Sequence, residues 1–265
     1  MPSEGIETFE HSEILTYEEI LRVVEASLKL GIRKVRITGG EPLVRREILN
    51  LIREIRQMKG VSDLTLTTNG VLLEDFAEDL WRVGIRRINI SLDTLKRDRF
   101  FDICRRDFLA KVLRGIEKAE KVGFNPIKIN CVAIKGVNDD EIVDFAKLTE
   151  DKPFHVRFIE FMPMGNNNLW GEDRVVREEE AMERIERYRK MVPVDTSRTD
   201  GIASLYRFEK AAGIIGFISP ISKSLNTINR KSFWILWSNK LYLELIKYQI
   251  SLSISHFQEN IVLSS

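Results

Sequence analysis

The stretch Val35–Leu43 reads Val-Arg-Ile-Thr-Gly-Gly-Glu-Pro-Leu, and the fold prediction is built outward from it. A short β-branched run with one charge leads into two glycines, a carboxylate and a proline, and a helical pattern follows from Arg46. This order predicts a strand that ends in a loop whose bare backbone can contact a ligand. Gly-Gly alone is more often an ordinary turn between a strand and a helix. Arg36, however, interrupts an aliphatic strand, where an unpaired cation is costly, and therefore predicts a nearby anion.

The rest of the chain repeats the alternation of strand and helix. Thr16–Glu19 forms a capping box that opens the first helix, and Gly31 closes that helix. Five predicted strands follow at spacings of roughly 25–40 residues, with helical patterns between them. We therefore predict an α/β fold with a parallel sheet, closed or partly closed. The predicted strands are Lys34–Thr38, Asp63–Thr68, Arg87–Leu92, Pro126–Ile134 and Phe154–Phe161, and the later helices are near Arg46–Met58, Leu73–Val83, Phe108–Val122 and Glu141–Leu148.

Cationic side chains interrupt three of these aliphatic strands. In such a fold the active site forms at the carboxyl ends of the strands. One cation could be a satisfied structural charge, but three on one sheet, Arg36, Lys128 and Arg157, predict a phosphate-bearing ligand. Neutral hydrogen bonds would come from Thr67, Ser91 and Asn130.

Composition limits the class of protein. The chain has 265 residues, 43% of them hydrophobic, which is enough for one barrel-sized domain or two smaller ones. Lys and Arg number 41 against 40 Asp and Glu, so the net charge of +1 favours neither nucleic acid nor a membrane surface as a partner. No apolar run approaches a membrane span, and Met1–Gly5 does not resemble a signal peptide, so we expect a cytoplasmic protein.

The chain contains two cysteines, Cys104 and Cys131. Neither lies in a Cys-x-x-Cys motif, so disulfide, zinc and iron–sulfur frameworks have no local signature. Cys131 lies in the apolar pattern of the fourth predicted strand, which favours a small buried thiol. From the residues alone we expect no metal ligands.

Six blocks of sequence, in this order, closely resemble the GTP 3′,8-cyclase family of radical S-adenosylmethionine (SAM) enzymes, which opens molybdenum cofactor biosynthesis. Gly-Gly-Glu-Pro is shared by many radical SAM enzymes, whereas the combination of blocks is specific to this family. The resemblance extends from about Met1 to Lys223. The blocks lie at residues 36–43, 67–70, 89–93, 128–130 with 135–139, 157–165 and 216–222.

The resemblance implies a fold, a reaction and a set of binding residues. The family has an incomplete six-stranded TIM-type barrel and two [4Fe-4S] clusters; the first cleaves SAM, and the resulting radical leads to a bond between C3′ and C8 of GTP. The resemblance is compatible with a homodimer. It also implies a partner enzyme, the cyclic pyranopterin monophosphate synthase, with which the family works. By position, the implied SAM-binding residues are Gly40, Glu41, Ser91 and Met162, and the implied GTP-binding residues are Arg36, Thr67, Lys128, Arg157 and Arg230.

The chain departs from the family at both ends. The family's Cys-x-x-x-Cys-x-x-Cys motif runs directly into Met-Pro, and this sequence begins at Met1-Pro2. We therefore expect a truncation that removes the barrel's first strand. After Lys223 the family's cysteines are absent, and Ser232 stands where the family has a second arginine. We expect two regions, a barrel with the start of the C-terminal region over residues 1–223 and a divergent tail over 224–265.

These departures leave three hypotheses. The chain is a truncated or mis-started cyclase that lacks the cluster thiolates and is inactive as written. Alternatively, it is a non-catalytic relative, or a decayed copy, that binds a purine nucleotide or a cyclase subunit. Thirdly, it is another radical SAM enzyme such as a peptide modifier. A barrel without its first strand would also expose an unpaired edge at Lys34–Thr38, and with the apolar tail run Phe233–Trp237 this predicts aggregation.

Overall fold

The computed structural model describes residues 14–161, 171–194 and 203–219, and the backbone of 232–235. Within these ranges the strands form one nine-stranded sheet in the order β6-β7-β8-β5-β4-β3-β2-β1-β9. Pairing is parallel from β9 through β1 to β5 and on to β8, whereas β7 runs antiparallel to both β6 and β8. The strands are β1 Lys34–Ile37, β2 Asp63–Thr68, β3 Arg87–Ser91, β4 Ile127–Ala133, β5 Phe154–Glu160, β6 Met191–Pro193, β7 Ser204–Phe208, β8 Ile214–Ile218 and β9 Ser232–Ile235.

Seven α-helices precede or connect these strands in the described residues, and each carries an apolar stripe. The first begins at the predicted capping box, in which the Thr16 hydroxyl accepts from the Glu19 N–H while the Glu19 side chain accepts from the Thr16 N–H. The helices are α1 Tyr17–Lys29, α2 Ile48–Gln57, α3 Leu73–Arg82, α4 Arg97–Cys104, α5 Leu109–Val122, α6 Ile142–Asp151 and α7 Glu178–Tyr188.

The two faces of the sheet differ in chemistry. Along β4 and β5, buried and partly buried residues alternate strictly. The buried set, including Ile127, Ile129, Val156 and Phe158, belongs to the hydrophobic core together with the apolar stripes of the helices. We call the opposite face, which carries the alternating polar residues of β1 to β5, the inner face. Because successive strand residues point to opposite sides, every second residue of a strand reaches the inner face.

The sequence predicted the central elements correctly. All five predicted strands and the helices between them are present, with ends that differ by at most three residues. The pattern did not reveal helix α4, whose sequence Arg-Asp-Arg-Phe-Phe-Asp-Ile-Cys has a weak apolar stripe. Strands β6 to β8 were also missed, and β8 extends the parallel sheet beyond β5. The confirmed architecture is an α/β fold with a parallel sheet of the partial TIM-barrel type.

The prediction of an unpaired edge at β1 was wrong. The backbone of β9 pairs in parallel with β1 in the register Lys34↔Ser232 to Ile37↔Ile235. An edge strand presents unsatisfied N–H and C=O groups, and an aromatic and β-branched segment such as Phe233–Ile235 has a strong preference for extended structure. The tail therefore supplies the strand beside β1, which removes one of the two reasons for expecting aggregation.

No described helix is both long enough and apolar enough to cross a membrane.

Candidate functional site

The site is built on the inner face of the parallel strands. Strand register places Asn89 beside Lys128 and, one step nearer the carboxyl ends, Asn130 beside Arg157. Thr67 on β2 lies beside Asn89, and Ser91 lies beside Asn130. The predicted neutral donors and two of the predicted cations thus meet on adjacent strands.

Arg157 is at the centre of this arrangement. Its Nε donates to Asn130 Oδ1 at 2.8 Å, and one terminal nitrogen donates to Asn89 Oδ1 at 2.8 Å. Both acceptors are neutral amides, so these bonds orient the guanidinium without neutralising its charge. Burial, followed by the charge of Arg36, lowers the pKa of Arg157 to about 10. The group stays protonated near neutral pH, in an environment that disfavours its charge.

Arg36 lies close enough to Arg157 for the two like charges to interact. The two residues belong to β1 and β5, which are separated by three strands in the sheet order. Their charges nevertheless interact. Arg157 reaches past β4 to Asn89 on β3, which brings its guanidinium toward the β1 side of the inner face.

Lys128 is the third cation of the inner face and is partly buried. Its charge contributes to the lowered pKa of His155, its register partner on β5. The structure therefore brings Arg36, Lys128 and Arg157, the three strand cations predicted from the sequence, to one face of one sheet. At the opposite, amino-terminal end of these strands, Arg87 forms an ion pair with Asp63.

The loop after β1 is fixed by the carboxylate of Glu41. Its Oε1 accepts from the Thr68 hydroxyl at 2.7 Å and from the Leu43 N–H at 3.1 Å, and its Oε2 accepts from the Asn69 N–H at 2.6 Å. Burial raises the pKa of Glu41, and these hydrogen bonds oppose the rise. A carboxylate has about four acceptor positions, so three donors leave little capacity for a ligand ammonium. In this structure Glu41 joins the ends of β1 and β2.

Two glycines shape the site. Gly39 has φ 146°, a conformation that favours glycine, where the chain leaves β1. Gly216 on β8 lies directly beside Arg157. A methyl group at Gly216 would lie 3.3 Å from Arg157 Cγ and 3.0 Å from Leu205 Cδ2, so the arginine stem occupies the space that the glycine leaves. Gly40 is exposed, and a side chain there would meet no protein atom within 4 Å.

Sequence reasoning missed two residues of the inner face, Asn89 and His155. Asn89 holds Arg157 and also donates to the Leu66 carbonyl at 3.2 Å. His155 lies two residues before Arg157, and burial together with Lys128, Arg157 and Arg87 lowers its pKa to about 4. The alternation of faces along each strand could have identified both residues, since Asn89 shares a face with Ser91 and His155 shares a face with Arg157.

Two predicted site residues, Met162 and Arg230, lie outside the described residues. Ser91 is exposed at the end of β3, and Thr67 is partly buried.

The described residues do not fit an iron–sulfur cluster. Such a cluster is held by several thiolates, and the described cysteines are Cys104 and Cys131. Burial raises the pKa of the Cys131 thiol well above its usual range, and its Sγ lies 3.8 Å from the Asp93 carbonyl. A protonated, enclosed thiol is a poor metal ligand. No group of three or more His, Cys, Asp or Glu in the described ranges could hold a metal ion.

The strand ends fit the polar end of a SAM molecule better. Gly40 offers exposed backbone with open space around it, and Ser91 offers an exposed hydroxyl. Exposed backbone groups and a hydroxyl are suitable partners for an amino-acid moiety. The Glu41 carboxylate contributes by holding the loop in place.

Comparison with known proteins agrees with the geometry. Residues 2–149 match the Radical SAM superfamily, and residues 154–225 match the Molybdenum Cofactor Synthesis C family. The GTP 3′,8-cyclase of Alkaliphilus oremlandii is 47% identical over 222 residues, which cover 84% of this chain and 68% of that protein. The GTP 3′,8-cyclase of Petrotoga mobilis is 47% identical over 231 residues, which cover 87% of this chain and 71% of that protein.

Solved structures give a weaker likeness. The structure of Streptococcus suis SuiB bound to S-adenosylmethionine superposes with a TM-score of 0.48. The two sequences are 17% identical, and the superposition covers 84% of this chain and 51% of that chain. TYW1 with a lysine-pyruvate adduct has a TM-score of 0.49 and 18% identity over 68% of this chain and 64% of that chain. The assignment rests on the two matching families and on the cyclases that are nearly half identical. The chain belongs to the GTP 3′,8-cyclase family of the radical SAM superfamily.

Proposed function

We propose that this chain is the nucleotide-binding barrel of a GTP 3′,8-cyclase, in which the inner-face cations hold the triphosphate of GTP. Arg36, Lys128 and Arg157 would bind phosphate oxygens, and Thr67 would add a hydrogen bond. The GTP 3′,8-cyclases that match the chain support GTP as the ligand. Arg230, outside the described residues, is proposed to contact GTP from the C-terminal side.

The observation that carries this proposal is the environment of the Arg157 guanidinium. Its guanidinium is oriented by two neutral amides and is close enough to Arg36 for like-charge repulsion to lower its pKa. Like charges that converge in a partly buried site attract an anion. A triphosphate carries several negative charges and suits the forked donors of arginine. The site is therefore preorganised for an anion of high charge.

We propose that SAM binds beside this pocket, at Gly40, Ser91 and Met162, with the loop held by Glu41. A cluster would supply the electron that cleaves SAM, and the thiolates for it do not come from the described residues. We propose that the 265-residue chain is inactive in cyclisation by itself and retains nucleotide binding. In the fold, residues 1–223 are proposed to form the barrel with the start of the C-terminal region, and 224–265 the divergent tail.

The proposal is tested by equilibrium binding of GTP to the wild type and to the Arg157→Ala and Lys128→Ala variants. Each substitution should weaken binding by about 1.5–3 kcal/mol, because each removes a hydrogen bond to a charged group. Arg22→Ala, on the exposed part of α1, is the matched control and should leave the affinity unchanged. GTP affinity that is unchanged in both site variants would contradict the assignment of these residues to a phosphate pocket.

A second candidate is a non-catalytic purine-nucleotide-binding relative, and the two cysteines in the sequence favour it. Iron analysis after anaerobic reconstitution separates this candidate from an active cyclase. Stoichiometric cluster iron together with SAM cleavage would contradict the proposed inactivity. GTP binding without bound iron would support a nucleotide-binding chain that lacks the chemistry.

A further inference from the structure

His155 lies within the cationic part of the inner face. It is two residues before Arg157 on β5, and its register partners are Lys128 on β4 and Ile214 on β8. The side chain is partly buried. A parallel neighbour and a residue two positions along the same strand both lie within side-chain reach. A phosphate group held between Lys128 and Arg157 would therefore lie beside the imidazole.

The charges that face His155 are mainly positive. Lys128 comes from β4, Arg157 from its own strand and Arg87 from β3, and each of them disfavours protonation of the imidazole. Asp63 on β2 forms an ion pair with Arg87 and so is already engaged. Strand β8 contributes the apolar Ile214. With burial as the largest cause, these groups lower the pKa of His155 to about 4, so the ring is neutral near pH 7.

We propose that His155 takes up a proton when a polyphosphate binds, so that the neutral ring becomes a further cation of the phosphate site. This inference rests on the proposed binding of GTP at the same face. A bound triphosphate offsets the charges of Lys128 and Arg157 and adds negative charge next to the ring. The repulsion that opposes protonation is then replaced by attraction. The proton comes from solvent and joins the unprotonated ring nitrogen; no bond of the nucleotide changes.

Proton uptake and GTP affinity are linked reciprocally. If GTP favours the protonated ring, protonation must favour GTP by the same factor. The free site avoids holding another cation beside Lys128 and Arg157, and the bound site gains one. Affinity for GTP therefore increases as the pH falls through the bound midpoint of His155 toward its free pKa of about 4, apart from the titration of the phosphates themselves.

The direct test is NMR of histidine rings in the full 265-residue chain. The chain has three histidines, and substitution of His11 and His256 by glutamine leaves His155 as the single reporter. The ring is titrated alone, with saturating GTP, and with inorganic triphosphate. We expect a titration midpoint about 4 for the free chain and a midpoint at least one pH unit higher with either ligand. An unchanged midpoint in saturating GTP would overturn the inference.

A second test compares GTP affinity of the wild type and His155→Gln between pH 4.5 and 8. Both proteins bind the same nucleotide, so phosphate titration cancels in the ratio of their dissociation constants. The dissociation constant of His155→Gln divided by that of the wild type should rise as the pH falls, by up to about tenfold per pH unit. A constant ratio contradicts proton uptake at His155. Absence of GTP binding by the wild type at every pH would instead overturn the proposed function and, with it, this inference.

Discussion

Two charged residues of this molecule are held in opposite ways. The Glu141 carboxylate is fully buried and accepts hydrogen bonds from the Thr94 hydroxyl at 2.6 Å and from the Leu95 N–H at 2.6 Å, and it also pairs with Arg99. Arg157 is oriented by neutral amides and faces the like charge of Arg36. The first group is satisfied by opposite charge and hydrogen bonds inside the fold, whereas the described hydrogen-bond partners of the second are neutral.

The difference teaches how to separate structural charges from binding charges. Around Glu141, neighbouring Asp140 pairs with Lys96 at 2.5 Å and with Arg99 at 2.7 Å, and these pairs lower the pKa of Asp140 to about 2. Opposite charges thus join the loop after β3 to the start of α6. On the inner face, like charges converge, and burial lowers the pKa of a cation. Convergence of one sign on one face of a sheet favours an anionic ligand.

The largest expected effect is on the structural side of this comparison. Glu141→Ala removes a buried carboxylate and leaves its three donors without that acceptor. The free energy of unfolding should fall by about 3–5 kcal/mol, as it does when one partner of a buried ion pair is removed. Chemical denaturation measures this loss. The folded fraction should bind GTP with unchanged affinity, and a selective loss of GTP binding without loss of stability would reverse the two roles.

The next effect concerns the pH dependence of stability. His155 has a pKa of about 4 when folded and about 6.5 when unfolded, so the unfolded chain binds a proton first as the pH falls. Its contribution to stability is complete above pH 6.5 and is lost between pH 6.5 and 4, by up to about 1.4 kcal/mol per pH unit. Urea denaturation at several pH values measures this slope. His155→Gln should remove that part of it, and an identical slope in the variant would contradict the assignment.

A smaller effect is expected at Gly216. The Gly216→Ala methyl group would press on Arg157 Cγ and Leu205 Cδ2. GTP affinity should fall by about 1 kcal/mol as the arginine stem moves, the lower end of the cost of overpacking. Calorimetric titration measures the change. In an Arg157→Ala background the same substitution should have little further effect on affinity, and an additive loss would show that Gly216 acts independently of Arg157.

The smallest effect is expected for an exposed ion pair. Lys29 and Glu25 are 3.2 Å apart on α1, and both side chains are mostly exposed. Lys29→Ala should change the free energy of unfolding by less than about 0.5 kcal/mol, because such pairs are solvated and screened. A thermal melt provides the comparison with Glu141→Ala. A loss as large as that of Glu141→Ala would mean that burial does not separate the two classes of charge.

The sequence was sufficient for the central fold and for the cations of the site. The period of two in β1 to β5 and the capping box at Thr16 locate the elements. Charges inside aliphatic strands locate Arg36, Lys128 and Arg157, because such positions are costly without a function. These signals are local, so they can be read without knowing the tertiary structure.

What the sequence could not provide depends on contacts between distant residues. The pairing of β9 with β1 joins segments almost 200 residues apart, and local preference alone does not select that partner. The engagement of Glu41 by Thr68 and Asn69 likewise crosses from one loop to the next. His155 was overlooked because a single histidine in a strand is more often structural, and its role depends on the charges that the sheet collects around it.

The most direct test of the central claim compares GTP with guanosine in equilibrium binding to the wild type and to Arg157→Ala. If the inner face binds the triphosphate, the wild type should bind GTP at least about tenfold more tightly than guanosine, since one charge-assisted contact alone accounts for that factor. The preference should largely disappear in the variant, while the affinity for guanosine stays nearly the same. Equal affinity of the wild type for GTP and guanosine would contradict the account.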